Sequence, residues 1–250
     1  MDKVRILGVG IDAIEQYALE EAVVDSVRQR RKDVYAYVNV HALNIAQHDD
    51  VFREFLNSAA ITYCDGEGVR VGARFLGRML PSRIVLTYWV WDLCRLCERE
   101  GFSMFLLGGE VESVERAVRQ IKQQYRSLVI SGFHHGFFDK WGAENTTVLR
   151  LIEQAHPDVL IVGFGMPLQE SWIQRNLGAL HARVILPAGS MIEYVAGKKK
   201  AAPRWMANHG MEWVYRLIQE PRRLWRRYLL GNPLFMARVL IQRVKQGDLG

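Results

Sequence analysis

The chain reads as an α/β protein: a mainly parallel, Rossmann-like sheet with helices on both faces, followed by a helical C-terminal appendage. Two observations predict the body. Short apolar runs at residues 104–107, 159–162 and 184–187 alternate with longer amphipathic stretches, the pattern of buried parallel strands joined by crossover helices. Glycines follow two of these runs directly, at Gly108-Gly109 and Gly163-Phe164-Gly165, where a parallel sheet places its ligand-binding loops. A third observation sets the appendage apart. From Gly197 onward twelve basic residues stand against three acidic ones, +9, whereas the rest carries 21 against 24, −3, within an overall +6. This divides the chain into an α/β domain, residues 1–196, and a basic, apolar appendage, residues 197–250.

The elements follow in order. Residues 4–9 read as a strand and 14–29 as a helix; 34–40 is a second strand, followed by one helix over 42–58. A short strand at 60–64 leads into a helix at 68–76, and 90–99 is helical. The strand at 104–107 runs into a helix at 112–125, whose Val114, Val118 and Ile121 share one face. A strand at 128–132, a helix at 146–154, a strand at 159–162, a helix opening at 171–177 and a last strand at 184–187 complete the body. In the appendage, 205–219 and 233–245 are helical in pattern, punctuated by Pro221, Gly231 and Pro233.

A chain of 250 residues with 49% hydrophobic and 24% charged residues has the composition of an ordinary globular protein with a substantial core. No apolar run reaches the ~18–20 residues that span a bilayer. The apolar stretch near the start is short and is followed by Asp12 and Glu15, unlike a signal peptide, so a cytoplasmic location is expected. The three cysteines, Cys64, Cys94 and Cys97, make no disulfide framework. Cys94 and Cys97 fall within a helical pattern without a second pair to complete a metal site, and are expected to pack in the core.

Four segments lie where a parallel sheet would bind a ligand: 37–39, 64–66, 107–110 and 162–170. Asp65, after a short strand and before Gly66, could take a proton from an attacking hydroxyl; a capping Asp in a strand-to-helix turn is the plainer reading. Gly108 and Gly109 would let backbone amides approach a phosphate at a helix start, although no complete dinucleotide or Walker pattern is present. Gly163, Gly165 and Gln169 belong to a dense strand–loop–helix junction, where Gln169 could read a sugar hydroxyl or a base edge. His134-His135 would point to opposite faces of an extended segment and is expected to be structural. Neither a metal nor a cofactor is expected. In the appendage, Arg222, Arg223, Arg226 and Arg227 alternate with Leu224, Trp225, Tyr228 and Leu229. Arginines beside interfacial aromatics suit a helix lying in the plane of an anionic membrane; each is worth ~1 kcal/mol there. Nucleic acid is not the expected partner.

Read together, GFGMPLQESW at 163–172, AGKKKAAPRW at 196–205 and EWVYRLIQEPRRLWRRYLLGN at 212–232 resemble the WecG/TagA/CpsF family of bacterial glycosyltransferases, glycosyltransferase family 26 with a GT-E type fold. CDG at 64–66 and LLGG at 106–109 fit the same family in position, so the resemblance covers nearly the whole chain. It implies an inverting, metal-independent enzyme that moves a hexose-type residue from a UDP-sugar to a lipid-pyrophosphate-linked saccharide. The product would enter an exopolysaccharide, capsule or wall polymer. It also implies an appendage that targets the cytoplasmic face of the inner membrane and helps to complete the active site; an oligomer is compatible with it. By position, Asp65 falls on the general base, Asn39 on a polar residue near the sugar, Gln169 on the glutamine of a P-x-Q-E segment, and Arg83 on an arginine meeting the acceptor or the phosphates. Arg216, Arg223 and Arg226 would close over the diphosphate, and Glu193 would accept from the uracil N–H. Tyr37, residues 87–92 and residues 192–194 depart from the family pattern in the expected pocket. Two other classes compete: a non-catalytic nucleotide-binding module with a basic membrane- or nucleic-acid-binding tail, and a Rossmann-type oxidoreductase without a full fingerprint.

Overall fold

A computed structural model describes residues 2–247; the last residues of the appendage, Asp248 among them, lie outside the described residues. The strands are β1 (Lys3–Ile6), β2 (Val9–Asp12), β3 (Asp33–Val38), β4 (Ile61–Cys64), β5 (Ser103–Gly108), β6 (Val129–His134), β7 (Val159–Gly163) and β8 (Val184–Pro187). The helices of the first half are α1 (Gln16–Arg28), α2 (Val40–Ile45), α3 (Asp50–Ser58), α4 (Glu67–Phe75), α5 (Leu86–Glu100) and α6 (Val111–Gln124). Those of the second half are α7 (Ala143–Ala155), α8 (Leu168–Asn176), α9 (Met191–Val195), α10 (Arg204–Asn208), α11 (Glu212–Gln219), α12 (Pro221–Trp225) and α13 (Gly231–Gly247). Six strands form a sheet in the order β4-β3-β8-β7-β5-β6, with parallel pairing between β3 and β8, β8 and β7, β7 and β5, and β5 and β6. The α/β class read from alternating apolar runs is the class of the structure.

The residues cluster into two compact units, one of 1–15, 37–85 and 201–250, the other of 16–36 and 86–200. In the second unit the core strand Val159–Gly163 is buried along its whole length. A continuous apolar run is what burial on both faces requires. Cys94 and Cys97 are fully buried on α5, and burial pushes both thiols up, Cys94 to about 12. They are packing residues.

The first unit departs from the sequence expectation in three places. Residues 4–9 are not one strand. Leu7 and Gly8 both take positive φ, 49° and 83°, and fold β1 back on β2 as an antiparallel hairpin, the mirror-image turn that suits strand twist. Buried Asp12 at its end accepts from the Thr62 amide at 2.8 Å and lies 3.3 Å from the Lys3 ammonium. The single helix expected over 42–58 is α2 and α3, because Asp49 turns its carboxylate onto the Phe52 amide at 2.9 Å and starts a new helix. In the appendage, Gly210 at φ 71° separates α10 from α11, whereas the break expected near Gly231–Pro233 is absent. Helix runs from Pro221 to Gly247 through a π turn at Arg226–Leu230. That turn contains Leu229, four residues before Pro233, whose ring would crowd the Leu229 carbonyl in a regular α-helix.

α13 lies against α2 and α4. Phe235, 1% exposed, sits so close to Gly72 that a Cβ there would come within 2.6 Å of its ring. Asn44 on α2 donates to the Gly231 carbonyl at 2.8 Å and accepts from Arg238 at 2.9 Å. Among the described residues no helix is long and apolar enough to cross a membrane.

Candidate active site

In the first unit the carboxyl end of β4 opens into a cavity of about 320 Å³. Asp65 is the residue after β4, its amide bonded to the Val38 carbonyl at 2.8 Å. Gly66 follows at φ 144°, a conformation that side chains rarely adopt, and α4 starts directly after it. Gly68 brings that helix against α2, where a Cβ would meet Val40 at 2.6 Å. The C-D-G triplet thus aims a carboxylate into the cavity and keeps two helix starts beside it. Asn39 uses both ends of its amide: Oδ1 caps α2 by accepting from the Ala42 amide at 3.1 Å, and the side chain hydrogen-bonds to Asp65. An aspartate at 39 could make the cap and not the donation.

The appendage supplies the other wall. Arg83 and Arg216 flank one carboxylate, Glu212, at 3.4 and 3.0 Å, and Arg83 also donates to the Ala207 carbonyl. Arg227 and His41 line the same space. Desolvation, then the Glu212 charge, push Asp65 up to about 6, against the opposing pull of Arg216, Asn39 and Arg227. Burial, then the Arg227 charge, push His41 down to about 4, so its imidazole is neutral at neutral pH. Val40, Val71, Trp213, Tyr228, Phe235 and Met236 give the cavity an apolar side.

Of the residues singled out in the sequence, Asn39, Asp65, Arg83 and Arg216 share this cavity. Arg223 and Arg226 do not line it. Both are exposed; Arg223 pairs with Glu220 and Arg226 lies over the Trp225 ring. Glu212, Arg227 and His41 were missed. Glu212 carried a signal, being one of three acids in a tail of twelve bases. Tyr37, expected in the pocket, does not line this cavity; it is buried, its ring 6.3 Å from that of Tyr63.

The remaining candidates belong to the second unit. Gly108 lies where a Cβ would fall 2.5 Å from the Gly163 carbonyl, so these two glycines let the ends of β5 and β7 approach. Glu193 accepts from the Ser113 hydroxyl at 3.1 Å and lies 3.8 Å from the Lys198 ammonium; Gly109 leaves room for its carboxylate, 3.1 Å from where a Cβ would be. Gln169 is fully buried. Its Oε1 accepts from the Gly165 and Gly189 amides at 3.1 and 2.8 Å, and its Nε2 donates to Glu170 at 2.8 Å. Its bonds fasten two loops together. Burial pushes the Glu170 carboxyl up to about 7. His134 and His135 do not diverge: β6 ends at His134 and the two rings stack at 4.3 Å.

The Glycosyl transferase WecG/TagA/CpsF family matches residues 4–248. The chain belongs to this family. Its similar relatives include the N-acetylglucosaminyldiphosphoundecaprenol N-acetyl-beta-D-mannosaminyltransferases of Staphylococcus aureus strains MW2 and NCTC 8325 / PS 47. Each is 29% identical over 239 residues, covering 95% of this chain and 92% of the relative. As a WecG/TagA/CpsF member the protein is a glycosyltransferase.

Proposed function

We propose that the protein transfers a hexose-type residue from a UDP-sugar to a lipid-diphosphate-linked saccharide, with inversion and without a metal, in the synthesis of an exopolysaccharide, capsule or wall polymer. The observation that carries this is the Asp65 cavity: a half-buried carboxylate with raised proton affinity, facing arginines and half enclosed by apolar side chains. An acceptor hydroxyl is a weak nucleophile. Asp65 takes its proton as the oxygen attacks the anomeric carbon opposite the departing UDP, and direct displacement inverts that centre. Negative charge grows on the leaving diphosphate, and Arg83, Arg216 and Arg227 are placed to meet it. We assign Glu193 and the Gly108-Gly109 turn to the nucleotide, and Gln169 to holding the loops at Gly165 and Gly189.

The names of the relatives make UDP-N-acetylmannosamine and an N-acetylglucosaminyl-diphosphate-lipid the first pair to offer, beside UDP-glucose and UDP-uronic acids. The test is acceptor-dependent UDP release with EDTA present. Release with one donor names the sugar. UDP binding without release from any donor would mean a missing acceptor or a non-catalytic module.

A lipid-linked acceptor brings the enzyme to a membrane, and the appendage has the surface for it. Ile218 is 71% exposed, and Trp205, Trp225, Leu229 and Leu230 are exposed beside Arg222, Arg223 and Arg226. The expected result for Ile218→Ser/Leu229→Ser/Leu230→Ser is at least tenfold weaker sedimentation with anionic vesicles at an unchanged thermal midpoint. Each exposed aliphatic residue contributes ~1–2 kcal/mol once buried in lipid. Undiminished binding would place the docking surface elsewhere.

The proton affinity of Asp65 fixes a pH dependence. The base must be ionised, so kcat/KM is expected to be flat above about pH 6 and to fall about tenfold per unit below it. A profile that stays flat down to pH 4 would remove Asp65 as the base.

A further inference from the structure

Cations that stabilise a leaving diphosphate also depress the basicity of any carboxylate among them, because each favours its ionised form. A general base and a phosphate site in one cavity are therefore in conflict. Here Asp65 faces Arg216 on α11 and Arg227 on the π turn, both of which pull its proton affinity down, as does the amide of Asn39 at the start of α2. Arg83, before α5, lines the same cavity.

One acid stands on the appendage side. Glu212, at the first position of α11, is well buried, with 13% of its side chain exposed. Each of its oxygens has its own arginine: Oε2 lies 3.4 Å from Arg83 Nη1 and Oε1 3.0 Å from Arg216 Nη2. The other groups around Asp65 do not do this work. Glu67 on α4 is paired with Arg70 at 2.8 Å and Arg74 at 3.6 Å. His41 on α2 is neutral, as are Tyr63 and Cys64 on β4, whose hydroxyl and thiol are pushed up by burial. His209, after α10, is exposed and bonds through Nδ1 to the Trp205 carbonyl.

We propose that Glu212 is a positioning residue for the transfer: it bridges Arg83 and Arg216 and sets an anion beside Asp65, so that the cavity holds arginines for the diphosphate without neutralising its base. The inference rests on the proposed function, because it takes Asp65 as the base. It adds that the appendage brings a counter-charge as well as arginines, and that Glu212 orders the arginines when no diphosphate is present.

The test is direct titration of the Asp65 carboxyl carbon by NMR in the full-length protein without substrate, its signal assigned by its loss in Asp65→Asn. In Glu212→Gln the midpoint is expected to fall by about one pH unit; in Glu212→Asp it stays near that of the unmodified protein. Should Glu212→Gln fail to fold, Glu212→Ala takes its place with the same expected fall. In kinetics, the acid limb of kcat/KM in Glu212→Gln moves down with the midpoint, and the plateau drops about threefold to tenfold as the base weakens. A lower plateau with an unmoved limb would mark a structural role and overturn the inference, as would an unmoved midpoint in Glu212→Gln or, in its place, in Glu212→Ala. Normal turnover of Asp65→Asn would instead remove the reading on which the inference rests, whatever the titration gives.

Discussion

Asp65→Asn is expected to lower turnover by about 10²–10⁴-fold, the usual contribution of a well-placed general base, while UDP binding is kept. Asparagine matches aspartate in shape and can still bond to Asn39, so the cavity keeps its form and loses a proton acceptor. The same variant should be more stable than the unmodified protein at neutral pH. The Asp65 carboxyl is raised from its ordinary 3.8 to about 6 in the folded protein, so the fold binds its proton more tightly than the unfolded chain does. The cost of ionising it is absent below about pH 4, grows between about 4 and 6, and is complete above about 6. Two units correspond to about 2–3 kcal/mol, so the thermal midpoint of Asp65→Asn should exceed that of the unmodified protein at pH 7.5 and converge with it at pH 4. A variant that loses both activity and stability would make Asp65 a structural residue. One that keeps turnover would remove it from the mechanism.

The second large effect is expected from removing residues 201–250. Transfer should fall at least 10²-fold on a vesicle-borne acceptor and equally on a water-soluble, short-chain one. Membrane targeting alone would spare the soluble acceptor. The cavity loses Arg216 and Arg227 with the segment, and a single preorganised group that stabilises developing charge is worth about 10²–10³-fold. The triple variant at Ile218, Leu229 and Leu230 separates the two roles, since it should be impaired on vesicles and active on the soluble acceptor. Sequence pattern alone suggests that the truncated body stays folded; the packing argues for a weakened one. Phe235 and Val239 are fully buried, and deleting one buried Phe side chain ordinarily costs about 3–5 kcal/mol. Full activity of the truncated protein on the soluble acceptor would confine the appendage to targeting.

The sheet was legible because burial on both faces demands unbroken apolar runs, and residues 159–162 show one in four letters. The hairpin at 3–12 was not, since its two-residue turn hides inside a stretch that is apolar on either side. At the site, Asp65, Asn39, Arg83 and Arg216 could be named, although position suggested a role for Asp65 alone and the resemblance gave the other three theirs. Arg223 and Arg226 lie outside the cavity for a geometric reason. Residues 222–230 offer two apolar pairs, Leu224 with Tyr228 and Trp225 with Leu229, and composition does not choose between them. The structure buries the first pair. At about 100° per residue, Arg227 then falls on the flank of the buried face, Arg223 farther round, and Arg226 on the opposite side. The π turn adds a further shift that no local propensity announces.

The first unit gathers its parts from distant stretches of chain. Leu7 near the start donates to Gln242 at 2.8 Å, and the cavity needs Asn39 and Asp65 from one stretch and Glu212, Arg216 and Arg227 from another. Contacts so far apart in sequence close late, because the loop entropy between them is lost before any packing compensates. A ribosome that has delivered residue 200 has made Asp65 and Arg83 without Glu212, Arg216 and Arg227. On the proposed mechanism the nascent chain is expected to stay inactive until the helix bearing Phe235 has emerged and docked.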